Sequence, residues 1–171
     1  HDALPISKQT LLKCDYAITT TSALANELKN YVADVYINRN VASEKMLKYS
    51  ERAKANVQKE KDKIILGYFS GSITHNSDFE MILPAIKKVM QENSNVYLKV
   101  VGELNMPKEL DDLKDRIIAS PFMEWKKLPE LIASVDINLA PLEDTLFNAA
   151  KSENKWVEAS MVGVPTIASN I

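Results

Sequence analysis

Apolar residues fall along this chain in two patterns, short continuous runs and longer stretches with one apolar position every three or four residues. Ile64-Ile65-Leu66-Gly67-Tyr68-Phe69 and Val96-Tyr97-Leu98-Lys99-Val100-Val101-Gly102 are short enough to be strands buried on both faces of a parallel sheet. Arg116-Ile117-Ile118-Ala119, Asp136-Ile137-Asn138-Leu139-Ala140 and Thr166-Ile167-Ala168 read as shorter strands. Phe79, Ile82, Leu83, Ile86 and Val89 recur at helical spacing, with Pro84 expected to kink that helix or split off its first turn. Leu128 to Ser134 reads as a short helix beginning beside Pro129. Ser152 is placed to cap a further helix ending at Gly163, a residue suited to the left-handed conformation after a helix.

Upstream, Asp15-Tyr16-Ala17-Ile18-Thr19 and Val35-Tyr36-Ile37 read as strands flanking a helix through Leu24, Leu28 and Tyr31, capped by a Thr/Ser cluster. Ser43 is placed to cap the next helix, where Met46, Leu47 and Ala53 stand among many Lys and Glu residues, the pattern of an exposed connector. The charged break Lys59-Glu60-Lys61-Asp62-Lys63 follows and marks the expected domain boundary. Strands alternating with helices in this way predict an α/β fold, a Rossmann-like parallel sheet flanked by helices. The polar turns after Phe69, Gly102, Ser120 and Ala140 all follow carboxyl ends of strands, the edge at which open parallel sheets bind ligands. Fold alone does not name the ligand, so the residues of those turns must.

A length of 171 residues suits one well-buried domain, or one domain and a piece of another. With 26% charged residues and a formal net charge of −2, no global field argues for nucleic acid or an anionic membrane, and any phosphate binding must be local. The single cysteine, Cys14, excludes an internal disulfide framework and fits a reducing, cytoplasmic setting. No window reaches the roughly 18 to 20 apolar residues of a membrane span, and the N-terminus has no signal-peptide pattern, so a soluble protein is expected. The first residues lack an initiator Met and the last stop as a strand finishes, which predicts a fragment of a longer protein.

Ser70-Gly71-Ser72-Ile73-Thr74-His75-Asn76-Ser77-Asp78 is rich in small and hydroxyl-bearing residues that let backbone N–H groups approach a phosphate, with Gly71, Ser72 and His75 as candidate contacts. It carries neither a Walker motif nor G-x-G-x-x-G, so an ordinary capped loop is an equal reading. Lys151 stands at an expected helix N-terminus, where a cation opposes the helix dipole unless an anion lies between them. Lys155 stands one turn on, and Ser152 and Glu153 complete a candidate diphosphate cradle. Glu158 is placed to accept hydrogen bonds from sugar hydroxyls or to pair with Lys155 or Asn154. Trp125 and Trp156 read as packing residues, whereas Phe122-Met123, in a turn at the carboxyl edge, are candidates to lie against a nucleobase. His1, His75 and Cys14 form no metal-ligating set, and both G-x-S-x-G and Asp-x-Asp are absent, so no metal and no cofactor are expected.

Taken together these segments resemble family 4 (group 1) glycosyltransferases with the two-domain GT-B fold, chiefly the domain that binds the nucleotide-sugar donor. Gly67 to Phe79 is similar to that domain's first strand and loop; Asp136 to Leu142, with Phe147-Asn148 and Lys151-Ser152, is similar to its donor loop; Glu158 to Ser169 is similar to its helix and final strand. The resemblance implies that residues 1–62 are the last strand-helix unit of an N-terminal acceptor domain plus a linker helix, and that 63–171 are the donor-binding domain, truncated at its C-terminus. Glu158 matches the second acid of the family's Glu-x7-Glu pattern, which holds the nucleotide ribose, while Ala150 stands where the first acid is expected, leaving Asn148 and Lys151 as nearby candidates for the donor-sugar contact.

The resemblance further implies retaining, metal-independent transfer of a sugar from a nucleotide-sugar donor, with Lys151 as the catalytic cation on the leaving diphosphate. It implies a glycan or lipid-linked acceptor, held mostly by the N-terminal domain and serving polysaccharide or glycoconjugate biosynthesis. This chain alone is then expected to bind nucleotide without turnover, and the full protein is compatible with peripheral membrane contact. Alternatives are a sugar-nucleotide epimerase of the same architecture and a non-catalytic nucleotide-binding or assembly module, the latter favoured by Ala150.

Overall fold

The computed structural model describes residues 4–71 and 76–171. Contacts divide the chain into two compact units, one of residues 1–41, 144–154 and 171, the other of residues 42–143 and 155–170.

In the first unit, α1 (Leu4–Leu11), which the apolar pattern did not announce, precedes β1 (Tyr16–Thr19), α2 (Ser22–Leu28) and β2 (Asp34–Ile37). The expected Thr cap is present: Thr21 Oγ1 accepts from the N–H of Leu24 at 3.2 Å. β1 and β2 pair in parallel from Tyr16↔Asp34 to Thr19↔Ile37. Ala25 and Val32 are buried behind this pair, while Tyr16 and Ile18 on one face stay open and Tyr16 meets Tyr36 edge to face at 6.3 Å.

The second unit begins with α3 (Glu44–Asn56), capped as expected by Ser43, whose Oγ accepts from the N–H of Met46 at 3.2 Å. The expectation of an exposed connector is corrected, because Ser50 and Ala53 are buried and Ala53 joins the core. Small residues on one stripe let this charged helix lie close to its neighbour, which a search for large apolar residues overlooks. β3 (Ile64–Ser70), α4 (Asn76–Glu92), β4 (Val96–Gly102), β5 (Ile117–Ser120), α5 (Leu128–Ala133) and β6 (Ile137–Ala140) follow, then α6 (Leu146–Ala149) of the first unit, α7 (Asn154–Met161) and β7 (Thr166–Ala168).

The five strands of this unit are all parallel, in the order β5-β4-β3-β6-β7, so the α/β fold read from the sequence is the one observed. β3 serves both faces at a period of two residues. Leu66 and Tyr68 join Phe79, Ile86 and Met90 of α4, whereas Ile65 and Phe69 join Ala53, Ile132, Val135 and Ala159 on the opposite side. Gly67 lies where any Cβ would come within 2.8 Å of Val135, which explains a glycine in a central strand.

Pro84 lies inside α4, which runs unbroken from Asn76 to Glu92, so the expected splitting of the first turn is corrected. Pro84 and Glu80 are both exposed, and water can satisfy the Glu80 carbonyl that the missing N–H leaves over. The segment Lys108–Arg116 is a 3-10 helix that buries Leu110 and Leu113, a three-residue spacing that fits its pitch.

At the amino edge of the sheet Asp136 joins β3 to β6. Its Oδ2 accepts from the N–H of Ile65 at 2.8 Å, and its Oδ1 lies 3.3 Å from Lys59 Nζ, which donates to Val135 O at 2.6 Å. Asp136→Ala is expected to cost about 1–3 kcal/mol of stability, read as a lower urea midpoint at unchanged m-value. An unchanged midpoint would show that water replaces the carboxylate at the Ile65 amide.

Candidate functional site

The chain leaves β3 toward β4 and β5 on one side of the sheet and returns to place β6 and β7 on the other, so the switch in strand order lies between β3 and β6. Open parallel sheets form a crevice beyond the carboxyl ends of the strands at such a point. Gly102 enables it at β4: its φ is +96°, a conformation suited to glycine, and it pairs with Ser70 at the last register position of β3.

A cleft of about 220 Å³ opens at this edge. Phe69, Ser70 and Gly71 at the end of β3 and Val101 of β4 contribute one wall, and Phe122, Met123 and Trp125 after β5 another. Lys155 and Glu158 reach it from the first turns of α7, and Leu128 and Leu131 of α5 add apolar surface. Apolar lining with a few charged groups is the common make-up of a small-molecule site.

α7 is held in place at both ends. Gly163, at φ +76°, ends it with the N–H of Val164 on Ala159 O at 3.0 Å and that of Gly163 on Ser160 O at 3.1 Å, the paired bonds of a Schellman cap and the expected stop. At its start, Asn138 is only 1% exposed within β6 and its Nδ2 donates to Lys155 O at 3.3 Å and to Thr166 Oγ1 at 3.1 Å. Asn138 thus sets the turn that carries Lys155. The signal was present as an amide inside an otherwise apolar strand, a position that demands hydrogen-bond partners.

The Lys155 ammonium is withdrawn from solvent and sits 5.3 Å from the centre of the Tyr68 ring. Tyr68 is fully buried, and burial together with the Asp78 charge pushes its hydroxyl well above the usual tyrosine range, so it stays protonated. Asp78 is itself buried in the first turn of α4 and accepts from the N–H of Glu143 at 3.0 Å, tying the segment after β6 to α4. Burial also raises the Glu158 carboxyl above its ordinary 4.5, and the Lys155 charge opposes that rise.

Five of the residues singled out from the sequence, Gly71, Phe122, Met123, Lys155 and Glu158, therefore line one cleft. Ser72 and His75 lie outside the described residues. Asn148, Lys151, Ser152 and Glu153 belong to the first unit. There Thr145 caps α6 through the N–H of Asn148 at 3.1 Å, Lys151 Nζ sits 4.9 Å from the Phe147 ring centre, and Glu153 pairs with Arg39 at 3.1 Å.

The proposed capping of α7 by Ser152 is corrected: the helix opens at Asn154, and the Ser152 hydroxyl accepts from Asn40 Nδ2 at 2.8 Å. A distant amide, invisible to local pattern, takes the oxygen that would have capped. The packing role expected of Trp156 is also corrected, since it is 57% exposed. Ala150, in place of an acid, presents its carbonyl to the Thr21 hydroxyl at 3.0 Å.

The doubly wound parallel sheet carries, at its carboxyl edge, a part-apolar cleft with a half-buried lysine and a half-buried acid, the architecture of an open α/β protein with a crevice at the switch in strand order. The chain belongs to the family described as Glycosyl transferases group 1, which matches it over residues 64–171. No curated protein matches the sequence at a significant level.

Among solved structures, the pneumococcal O-GlcNAc transferase GtfA in complex with UDP and GlcNAc superposes with a TM-score of 0.64 at 15% identity, covering 100% of this chain and 33% of that one. WaaG, a glycosyltransferase involved in lipopolysaccharide biosynthesis, gives 0.60 at 14% identity over 88% of this chain and 43% of that one. Anabaena HepE in complex with UDP and glucose gives 0.54 at 16% identity over 95% and 48%. At such identities the likeness is one of fold, that of GT-B glycosyltransferase domains. The chain spans between about a third and a half of these relatives' length.

Proposed function

We propose that the chain is the donor-binding part of a glycosyltransferase that moves a sugar from a nucleotide-sugar to a glycan or lipid-linked acceptor, with retention and without a metal, in cytoplasmic polysaccharide or glycoconjugate synthesis. The observation that carries this reading is the joint presence of Lys155, Glu158, Phe122 and Met123 in one cleft at the carboxyl edge of the sheet. Family membership supports it. Phe122 and Met123 receive the base, Glu158 accepts from the ribose hydroxyls, and Gly71 with the following loop, Ser72 and His75 included, meets the diphosphate.

Lys155 supplies positive potential from the cleft floor. The bond from the anomeric carbon to the diphosphate oxygen breaks as one to the acceptor oxygen forms, negative charge grows on the diphosphate, and the acceptor hydroxyl's proton passes to the departing diphosphate oxygen; preorganised cations and N–H groups favour the charge build-up. The chain alone binds donor without turnover. A second reading, a binding module without catalysis, is favoured by Ala150 at the place of the family's first acid.

Calorimetric titration with UDP-, ADP- and GDP-sugars tests the donor site. At least one is expected to bind, and failure of all three would remove the reading. A pH series sharpens the test. Because the free protein holds the Glu158 proton more tightly than an exposed glutamate, affinity is expected to be level near neutrality and to fall as pH drops through a midpoint above 4.5. A sugar nucleotide suits this series, since its diphosphate diester keeps its charge across that window. Glu158→Gln is expected to weaken binding about tenfold and to flatten the profile. The same acid limb in the glutamine variant would assign it to another group.

A further inference from the structure

We propose that Trp125 is the stacking platform for the nucleobase, held ready by α3, and that it sets how strongly the base contributes to donor affinity. This rests on the nucleotide-binding reading above. Trp125 opens the 3-10 turn Trp125–Lys127 and lines the cleft together with Phe122, Met123 and Glu158. Trp125 is 45% exposed, yet its indole is fixed from α3 by two contacts. The ring of Tyr49 meets it edge to face at 5.5 Å and 86°, and Lys45 Nζ lies 5.2 Å from its centre.

An exposed indole with no such support would lose rotamer freedom on binding, and that loss would offset part of any stacking gain. Edge-to-face packing and a cation over the ring remove the freedom beforehand. The platform also stands in the same cleft as Glu158, as the covalent adjacency of base and ribose requires. Every base has a flat π face, so such a platform raises affinity with little choice among bases, leaving that choice to groups at the base edge. Tyr49 and Lys45 act through Trp125 and are positioning residues. α3 thereby acquires a role that its charged sequence does not suggest.

The two tryptophans make a direct test available. In a Trp156→Phe background, Trp125 is the sole indole reporter, and the chain is titrated with UDP, ADP and inorganic pyrophosphate. UDP and ADP are expected to quench its emission saturably, whereas pyrophosphate binds with little quenching. By calorimetry, Trp125→Ala should weaken UDP about tenfold and leave pyrophosphate affinity unchanged, while Trp125→Phe restores most of the loss. Tyr49→Ala should cost a few-fold in UDP affinity, and Tyr49→Phe, which keeps the ring, should not.

Equal UDP affinity in Trp125→Ala and the parent overturns the platform. So does an equal loss for UDP and pyrophosphate, which marks general damage to the fold. If the parent binds none of the nucleotides, the underlying nucleotide reading fails first, an outcome distinct from both.

Discussion

Lys155→Met is expected to weaken binding of a nucleoside diphosphate by roughly a hundredfold, the largest affinity change for any single residue of the cleft. The ammonium lies out of water over Tyr68 while the side chain lines the cleft, so its field reaches the ligand with little solvent screening. At a separation of ~6 Å and an effective dielectric of ~20, a unit charge on the diphosphate is attracted by about 2–3 kcal/mol. Methionine keeps the apolar stem and removes only the charge. Calorimetry with UDP in parallel with urea unfolding separates affinity from stability. An unchanged dissociation constant in a folded variant would falsify the role, and a loss that vanishes at high salt would place the charge in solvent instead.

Gly102→Ala is expected to have the largest effect on stability, at least about 3 kcal/mol and enough to prevent folding at 37 °C. Two costs combine there. A residue with a Cβ is strained at the φ of +96°, and the Cβ itself would stand 1.9 Å from Ser70 O, a backbone atom that cannot move aside without breaking the β3–β4 register. Gly71→Ala is the control, because among the described residues a Cβ there meets nothing within 4 Å and its φ is not among the positive ones. Urea midpoints should drop sharply for the first and stay within about 0.5 kcal/mol for the second. If Gly102→Ala folds with a near-parental midpoint, the tight turn at the end of β4 is not a constraint.

Much of the fold was legible because its signals are local. The runs at Ile64 and Val96 became the central strands, Ser43 and Thr21 became caps, and Gly163 became the left-handed stop of α7. Each depends on residues within about one helical turn or one strand of chain. The misreadings share a different origin. Ser152 does not cap because Asn40 takes its oxygen, α3 is not a free connector because Ser50 and Ala53 are buried in the second unit, and Pro84 sits quietly because its face of α4 is wet.

The candidate site divides along the same line. Lys155 and Glu158 were visible as a cation and an acid on successive turns, and Phe122-Met123 as apolar residues after a strand. Asn138, Asp78 and Trp125 were not assigned to it, since their importance lies in partners far along the chain: Lys155 for the first, Glu143 for the second, Tyr49 for the third. A buried polar atom can be noticed in sequence, but the group that satisfies it cannot.

The succession of the sheet's strands and their main helices along the chain, with several of their caps and stops, was determined by the amino-acid sequence itself, through periodicity and backbone preference. Only the tertiary structure decided that β3 lies between β4 and β6, that Lys155 is drawn out of water onto Tyr68, and that Tyr49 and Lys45 of α3 hold the indole at the cleft. The physical reason is that desolvation and side-chain orientation are properties of the whole packed surround, and the chain brings that surround together from positions scores of residues apart.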